Sequence, residues 1–287
     1  MRRLEEAMAQ RVLLADGAFS RQLRRLPMDV RRDLWGHEDR LELLCLSRPE
    51  WIRGLHEAYL RAGADLVRTH TLEASPLSLA EAGLEQEAFF LNYVAAQLAC
   101  EAVDAVPGRG RRRFVLGLVR DQGWDAAPSE IEQAVALQVE ALIAGGADGI
   151  ALDVTPGLGR ARIFVRGAQK ARKSLSSLVP IYLQSAPGLK PYSTHLVEQV
   201  DGVILFRSGG RARGDWLARA VEQECATLIG GGDSPADTAE LDRYLRLLAE
   251  DGLRPLHCAA RAAGVCGDES IVPSSALHVD PLITELH

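Results

Sequence analysis

The chain has 287 residues, a formal net charge of -6, 47% hydrophobic residues and 25% charged residues. That length suits one large domain, because α/β barrels commonly run to about 250 residues as a single unit. The negative balance argues against a nucleic-acid or anionic-membrane partner.

No apolar run reaches the roughly 18 residues of a membrane span. The start, MRRLEEAMAQ, has acidic residues and no apolar core, so it does not read as a signal peptide. Five scattered cysteines, none in a CxxC pair, argue against a disulfide framework and lead us to expect a reducing, cytoplasmic setting.

Short apolar runs alternate with longer amphipathic stretches, the pattern of parallel strands joined by crossover helices. The first run, Val12 to Ala15, closes on Asp16-Gly17, and a loop rich in arginine follows (Arg21, Arg24, Arg25, Arg31, Arg32). Glu50 to Ala62 reads as a helix with Trp51, Leu55, Ala58, Tyr59 and Ala62 on one face, Ser47 as a nearby capping candidate and Gly63 at its end. Asp65 to His70 is the second strand. A long helix from about Leu79 to Val106, with a break expected at Gly83, leads to strand three, Phe114 to Val119.

The helix Ser129 to Ala144 precedes strand four, Gly149 to Val154, and the helix Gly159 to Leu175 precedes strand five, Pro180 to Gln184. A short helix near Thr194 leads to strand six, Gly202 to Phe206; helices at Asp215 to Glu224 and Asp237 to Glu250 frame strand seven, Ala226 to Ile229, and strand eight, Arg254 to Cys258. Eight similar units predict an α/β fold of the (β/α)8 TIM barrel type, spanning 1–287 as one domain with a weakly patterned tail from about residue 262. A doubly wound open sheet is the rival, weakened by the lack of a GxGxxG turn after the first strand.

A barrel places its chemistry at the carboxyl ends of its strands. The polar residues there are Asp16 and Gly17; Thr69, His70 and Thr71; Arg120 and Asp121; Asp153; Gln184 and Ser185; Arg207 and Ser208; Asp233; and His257 with Cys258. Asp16 and Asp153 are the carboxylates expected to face one cavity, either as an acid and base or as a grip on an ammonium group. His70 reads as a base, a ligand or a hydrogen-bonded packing residue. His257 and Cys258 point to opposite faces of a strand, which disfavours a shared metal even with Cys266 nearby. Cys45 and Cys100 sit among apolar residues and read as core thiols. The run Arg109 to Arg113 is expected as a solvated turn on the opposite face, and Gly230 to Pro235 as a flexible turn.

Three segments carry a resemblance to a known family. Leu13 to Leu23 (LLADGAFSRQL), Leu46 to Ser75 (LSRPEWIRGLHEAYLRAGADLVRTHTLEAS) and Glu140 to Val154 (EALIAGGADGIALDV) resemble the homocysteine S-methyltransferase family. The resemblance implies a (β/α)8 barrel in which Asp16 and Gly17 line the homocysteine pocket. Thr69 and Thr71 keep the family's threonines, while His70 replaces an asparagine and Leu72 a phenylalanine. Asp153 falls where the family holds the substrate ammonium with a glutamate, one methylene longer.

The family also binds zinc, through one cysteine after strand six in a G-x-N-C segment and two in G-G-C-C-G after the last strand. The zinc converts a poorly nucleophilic thiol to a thiolate. Here Phe206 or Arg207 takes the first position. Ala259-Ala260 or, in a second alignment, the Gly230 to Asp233 segment takes the others. We therefore expect no catalytic zinc and no other cofactor, in a divergent or non-catalytic member that binds a small amino acid or thiol. An active S-methyltransferase or metal-independent enzyme on a small anionic substrate, and an interaction module with a methyl-transfer partner protein, are the alternatives.

Overall fold

The computed structural model of the chain describes residues 3–108, 110–154, 158–185, 192–207, 228–230 and 232–250. Among them lie seven parallel strands: β1 (Leu13–Ala15), β2 (Leu66–Arg68), β3 (Phe114–Arg120), β4 (Gly149–Asp153), β5 (Ile181–Ser185), β6 (Gly202–Arg207) and β7 (Leu228–Gly230). Helices connect them, because a parallel pair needs a crossover and the crossover must cover the outer face of the sheet. The main ones are α5 (Pro49–Arg61), α7 (Ala88–Ala105), α8 (Pro128–Ala144), α9 (Ala161–Ser174) and α11 (Pro235–Glu250), with α1 (Arg3–Gln10) ahead of the first strand. The shorter α2 (Phe19–Leu23), α3 (Val30–Asp33), α4 (Leu44–Ser47), α6 (Pro76–Leu79) and α10 (Thr194–Val197) lie in the loops. No helix among the described residues is long and apolar enough to cross a membrane.

The sheet curls until its ends meet. β1 pairs with β2 on one side and with β7 on the other, through Leu13↔Leu228, Leu14↔Ile229 and Ala15↔Gly230. The ring therefore closes on seven strands among the described residues, where eight were expected. A further strand between β1 and β7 would have to break those three pairs. Arg254 to Cys258, read from sequence as strand eight, lies outside the described residues, as does the helix read at Asp215 to Glu224.

Strand alternation sorts the core into an inside and an outside. Leu13, Ala15, Leu66, Phe114, Leu116, Leu118, Ala151, Tyr182 and Ile204 point into the ring, with Leu4 of α1 among them. Val67, Val115, Val119, Ile150, Leu152 and Leu183 point outward onto the helices, against residues such as Val135, Val139, Leu142 and Phe164. A third cluster, including Phe19, Leu23, Leu34, Leu43, Ile52 and Tyr59, fills the space under the long connection from β1 to α5.

Several local readings need correction. The buried face of α5 is Ile52, His56, Tyr59 and Leu60. The sequence pattern set the face one residue off because it discounted His56 as polar. Ser47 does not cap α5; its hydroxyl donates to the Asp33 and Leu43 carbonyls instead. The expected break at Gly83 is present, in a left-handed turn (φ 68°) between two short 3-10 segments ahead of α7.

The arginine run is not simply solvated. Arg111 reaches Asp65 (3.4 Å) and Asp242 (2.8 Å), and Arg113 donates to the carbonyls of Val106 and Leu60. Asp65, buried at the start of β2, also accepts from Arg11 (2.6 Å) and the Leu14 amide (3.0 Å). One carboxylate thus joins the α1–β1 junction, β2 and the turn before β3. Through Arg111 it also reaches α11.

Gly63 sits beside this network in a left-handed conformation (φ 114°), and a Cβ there would lie 2.5 Å from the Asp242 carboxyl carbon. Both the backbone strain and the displacement of Asp242 act against a side chain at this position. Gly63→Ala is expected to lower the unfolding free energy by about 1–3 kcal/mol in urea titration. A midpoint equal to wild type would contradict this placement.

Candidate functional site

The carboxyl ends of the strands carry the continuation of the inward-facing rows. Parity places Arg68 after Leu66 on β2, Arg120 after Leu118 on β3, Asp153 after Ala151 on β4 and Gln184 after Tyr182 on β5. Apolar residues fill the ring below them, and polar ones take over at the mouth.

Asp16 follows β1 and is buried. Its Oδ1 accepts from Arg68 Nε (2.8 Å) and its Oδ2 from the Arg68 amide (3.1 Å). The Arg68 guanidinium also donates to the carbonyls of Asp16 and Gly17, at 3.2 Å each. Burial pushes the Asp16 carboxyl above the usual carboxylate range, and Arg68 offsets only part of that rise. Asp16 and Gly17 therefore stand at the mouth as expected, but the carboxylate is already engaged by an arginine that the sequence reading overlooked.

The second carboxylate is arranged similarly. Arg120, Asp153 and Gln184 lie side by side on consecutive strands through the pairs Arg120↔Asp153 and Asp153↔Gln184. Arg120 Nε is 3.5 Å from Asp153 Oδ2, close enough for attraction but without a directed hydrogen bond. The Tyr192 hydroxyl donates to the Gln184 carbonyl (2.6 Å) and anchors this end of β5. Burial pushes the Tyr192 phenol up, with the Asp153 charge adding to the effect. Asp121 turns away from the row: Oδ1 accepts from the Gly123 amide (2.9 Å) and meets Arg160 at 3.4 Å.

The residues after β2 do a different job. Thr69 and Thr71 hydrogen-bond each other (2.7 Å); Leu118 donates its amide to the Thr69 hydroxyl (3.0 Å), and the Thr71 hydroxyl donates to the Leu118 carbonyl (2.7 Å). Both threonines extend the β2–β3 ladder past its last backbone pair. His70 is buried behind the mouth, its ring 5.2 Å from that of Phe19. His56 lies 4.4 Å from the same ring, and Tyr59 6.4 Å.

Burial holds His70 down at about 4 and His56 down at about 3, so both are neutral near pH 7. The His70 Nε2, both His56 nitrogens and the Tyr59 hydroxyl have no hydrogen-bond partner among the described residues. The mouth thus gathers Asp16, Gly17 and Asp153 of the expected site and adds Arg68, Arg120 and Gln184. Thr69, His70 and Thr71 support it from behind.

The arginines of the first long loop are mostly engaged within the chain. Arg32 and Arg48 clamp buried Asp33, Arg24 faces Asp39 (3.7 Å), and Arg21 pairs with Asp233 (2.8 Å). Gln22 donates to the Asp233 carbonyl and the Ala18 amide to the Gly232 carbonyl (2.9 Å). The glycine-rich turn after β7 is therefore tied to the loop after β1. Cys45 is buried under that loop, and burial pushes its thiol up. Cys100, on α7, approaches the Gly146 carbonyl (3.3 Å) next to β4's start, with its thiol pushed up to about 11.

A cavity of about 660 Å³ opens at the opposite end, lined by Leu4, Arg112, Asp148, Arg172, Val179 and Asp201 among others. That is the end where a barrel keeps its stability rather than its chemistry.

A closed parallel β/α ring with polar side chains at the carboxyl ends of its strands defines a β/α-barrel protein. Within that class the relationship is specific. The model of the family described as homocysteine S-methyltransferase matches residues 13–192, and the chain belongs to that family. It is similar to methionine synthase of Mycobacterium leprae (25% identical over 270 residues) and of Mycobacterium tuberculosis (26% over 258 residues). Each match takes in 88% of this chain and 20% of the relative, so the chain spans about a fifth of the length of these proteins.

Among solved structures, the metallated form of the homocysteine methyltransferase MmuM from Escherichia coli superposes with a TM-score of 0.63 at 22% identity. That alignment covers 82% of this chain and 96% of that one. Its oxidized form gives 0.59 at 21% identity, over 81% and 95%. These likenesses establish the shared fold.

Two outcomes follow from the site. Arg68→Met strands a buried carboxylate and is expected to lower stability by about 3 kcal/mol, part of which returns when Asp16→Asn is added. Urea titration of the single and double variants reads this, and a double variant no more stable than Arg68→Met would contradict it.

For His70, the folded-state value of about 4 lies below the ordinary 6.5. The unfolded chain therefore takes up a proton that the folded one refuses, and stability falls as pH drops below 6.5 towards 4. Between pH 7 and pH 5 the His70→Asn variant is expected to lose about 2 kcal/mol less stability than wild type. Equal losses would show that His70 is not the responsible group.

Proposed function

We propose that this chain is a homocysteine S-methyltransferase-like barrel that binds a small amino acid or thiol at its mouth without the thiolate zinc site of the family. The carrying observation is Gly232. β7 is the strand that closes against β1, so the segment after it corresponds to the family's G-G-C-C-G, with Gly232 and Asp233 at the cysteine positions. Gly232 has a φ of 80°, and a Cβ there would lie 2.6 Å from the Asp237 Cβ. A cysteine does not fit that turn as it is built.

Asp233 faces Arg21 across the neighbouring loop. The two described cysteines sit under the first loop and at the far end of α7. No cluster of three or more histidine, cysteine, aspartate or glutamate side chains suited to a metal occurs among the described residues. The donor chemistry at the mouth is guanidinium, carboxylate and amide, which suits hydrogen bonding to a polar ligand and does not suit a soft thiolate-bound metal.

A second reading is a metal-independent enzyme on a small anionic substrate. It is favoured by the inward placement of Arg68 and Arg120, since an arginine fork matches a carboxylate.

Metal analysis of the purified full chain, together with a homocysteine methylation assay, tests the first reading. The expected result is no stoichiometric zinc and no methionine formation, with thermal stabilisation by at least one member of a panel of amino acids, thiols and carboxylates. Stoichiometric zinc with robust methionine production would overturn it.

A further inference from the structure

We propose that the cavity at the amino ends of the strands is a second binding site, for a small organic carboxylate with an apolar body, and that Arg112 takes the carboxylate. The site lies at the opposite end of the ring from the mouth and does not depend on what the mouth binds.

The cavity measures about 660 Å³, within the range that holds a small molecule. Its walls come from α1, the turns before β3 and β4, the connection from α9 to β5 and the turn before β6. Leu4, Ala147, Leu178, Val179 and Pro180 give it apolar surface. Leu178 is 74% exposed, the highest value among the large apolar residues described. A single exposed leucine is ordinary on a surface, but this one borders a cavity whose neighbouring walls are also apolar.

The charged residues of the lining differ in what they have left to offer. Arg172 pairs with Asp201, whose Oδ2 also accepts from the Ile181 amide (2.9 Å). Asp148 accepts from the Val115 amide (2.9 Å), and both Asp148 and Glu5 are engaged. Arg112 is different. It is exposed, its guanidinium lies over the Phe114 ring (5.9 Å to the centroid), and no carboxylate pairs with it among the described residues. Its neighbours in the same turn are spent, Arg111 on Asp65 and Asp242 and Arg113 on two backbone carbonyls. Phe114 points into the ring, so the contact with it holds the Arg112 guanidinium beneath the end of the barrel.

A second donor stands behind the lining. The Tyr182 ring lies across the first residues of β4 and β6, where a Cβ on Gly149 would come within 3.2 Å of it and one on Gly202 within 3.5 Å. Tyr182 is buried, and its hydroxyl has no hydrogen-bond partner among the described residues. Burial pushes the phenol up, and the charges of Glu5 and Asp201, which both line the cavity, add to the effect. The hydroxyl end of the ring therefore faces this end of the barrel.

An amine would meet Arg112 as a like charge, while the carboxylates that could receive it are already engaged. A neutral alcohol would leave the guanidinium without a counter-charge. A carboxylate matches the guanidinium fork, and an apolar body attached to it covers Leu178, Val179 and Leu4. Such a ligand would tie α1 to the amino ends of the strands.

Calorimetric titration of the full chain with 4-phenylbutanoate, 4-phenylbutylamine and 4-phenylbutan-1-ol tests this, because the three share one apolar body and differ in the head group. The acid is expected to bind about tenfold or more tighter than the amine or the alcohol. Arg112→Gln should weaken the acid by about tenfold and leave the alcohol within about threefold. Leu178→Ser should weaken the acid and the alcohol alike, by about fivefold. Both residues are exposed, so neither change disturbs the packed core. Arg120→Gln, at the mouth, should leave the acid within about twofold. Hydrogen exchange in α1 should slow when the acid is bound.

An acid that binds Arg112→Gln as tightly as wild type would overturn the site, as would an amine that binds as tightly as the acid. Loss of acid binding in Arg120→Gln with none in Arg112→Gln would move the ligand to the mouth and overturn the site as well. Binding of none of the three probes would do the same, and would leave the reading of the mouth as a site for an amino acid or thiol standing.

Discussion

Asp16 and Arg68 form a buried ion pair at the top of the ring, and the mouth is organised around it. Two charges removed from water are tolerated only when their geometry is good and their remaining valences are filled. Here Arg68 meets both Asp16 oxygens, through its backbone amide and its guanidinium, and also reaches two carbonyls of the turn after β1. The pair holds the ends of β1 and β2 together where only one residue pair, Ala15↔Leu66, joins the strands. It also occupies one side of the mouth, while on the side formed by β3 to β5 Arg120 Nε and Gln184 Oε1 have no hydrogen-bond partner among the described residues.

The two ends of the barrel divide the labour. At the amino ends of the strands, Asp65, Arg11, Arg111 and Asp242 join the α1–β1 junction, β2, the turn before β3 and the last helix into one charge network. At the carboxyl ends two arginines, Arg68 and Arg120, stand between two carboxylates, Asp16 and Asp153, and Arg120 Nε and Gln184 Oε1 have no hydrogen-bond partner among the described residues. The unpartnered Arg120 Nε and Gln184 Oε1 lie at the end where barrels carry chemistry.

Much of the fold was legible because alternation and crossover length are local signals. The strands at Phe114, Gly149, Ile181 and Gly202, and the helices α5, α8, α9 and α11, fall within a few residues of their expected bounds. Closure was not legible, since pairing between β1 and β7 is a long-range fact that no window of sequence contains. The short helices of the first long loop were missed for a related reason: α2, α3 and α4 are shorter than two turns and are held by tertiary packing rather than propensity.

At the site, Asp16, Gly17 and Asp153 were readable as polar residues at strand ends. Arg68 was not, although counting from Leu66 on β2 would have pointed it inward beside Asp16. Arg120 and Gln184 were visible as strand-end residues, but their place on either side of Asp153 depends on register across three strands. Thr69 and Thr71 look like site residues in sequence, yet their hydroxyls are spent on the β3 backbone, a contact that only the folded ladder reveals.

The closing pairs also set an order of events on the ribosome. Residues 13–15 leave the exit tunnel before their partners at 228–230, which follow roughly two hundred residues later, at synthesis rates of about 5–20 residues per second. For that interval β1 has one unpaired edge, and the growing sheet adds a second edge at each new strand. Contacts this distant along the chain form slowly, and exposed edges invite pairing with other chains. The nascent barrel therefore passes through an open, two-edged sheet, and its protection from neighbours in a polysome depends on β7 arriving to seal it.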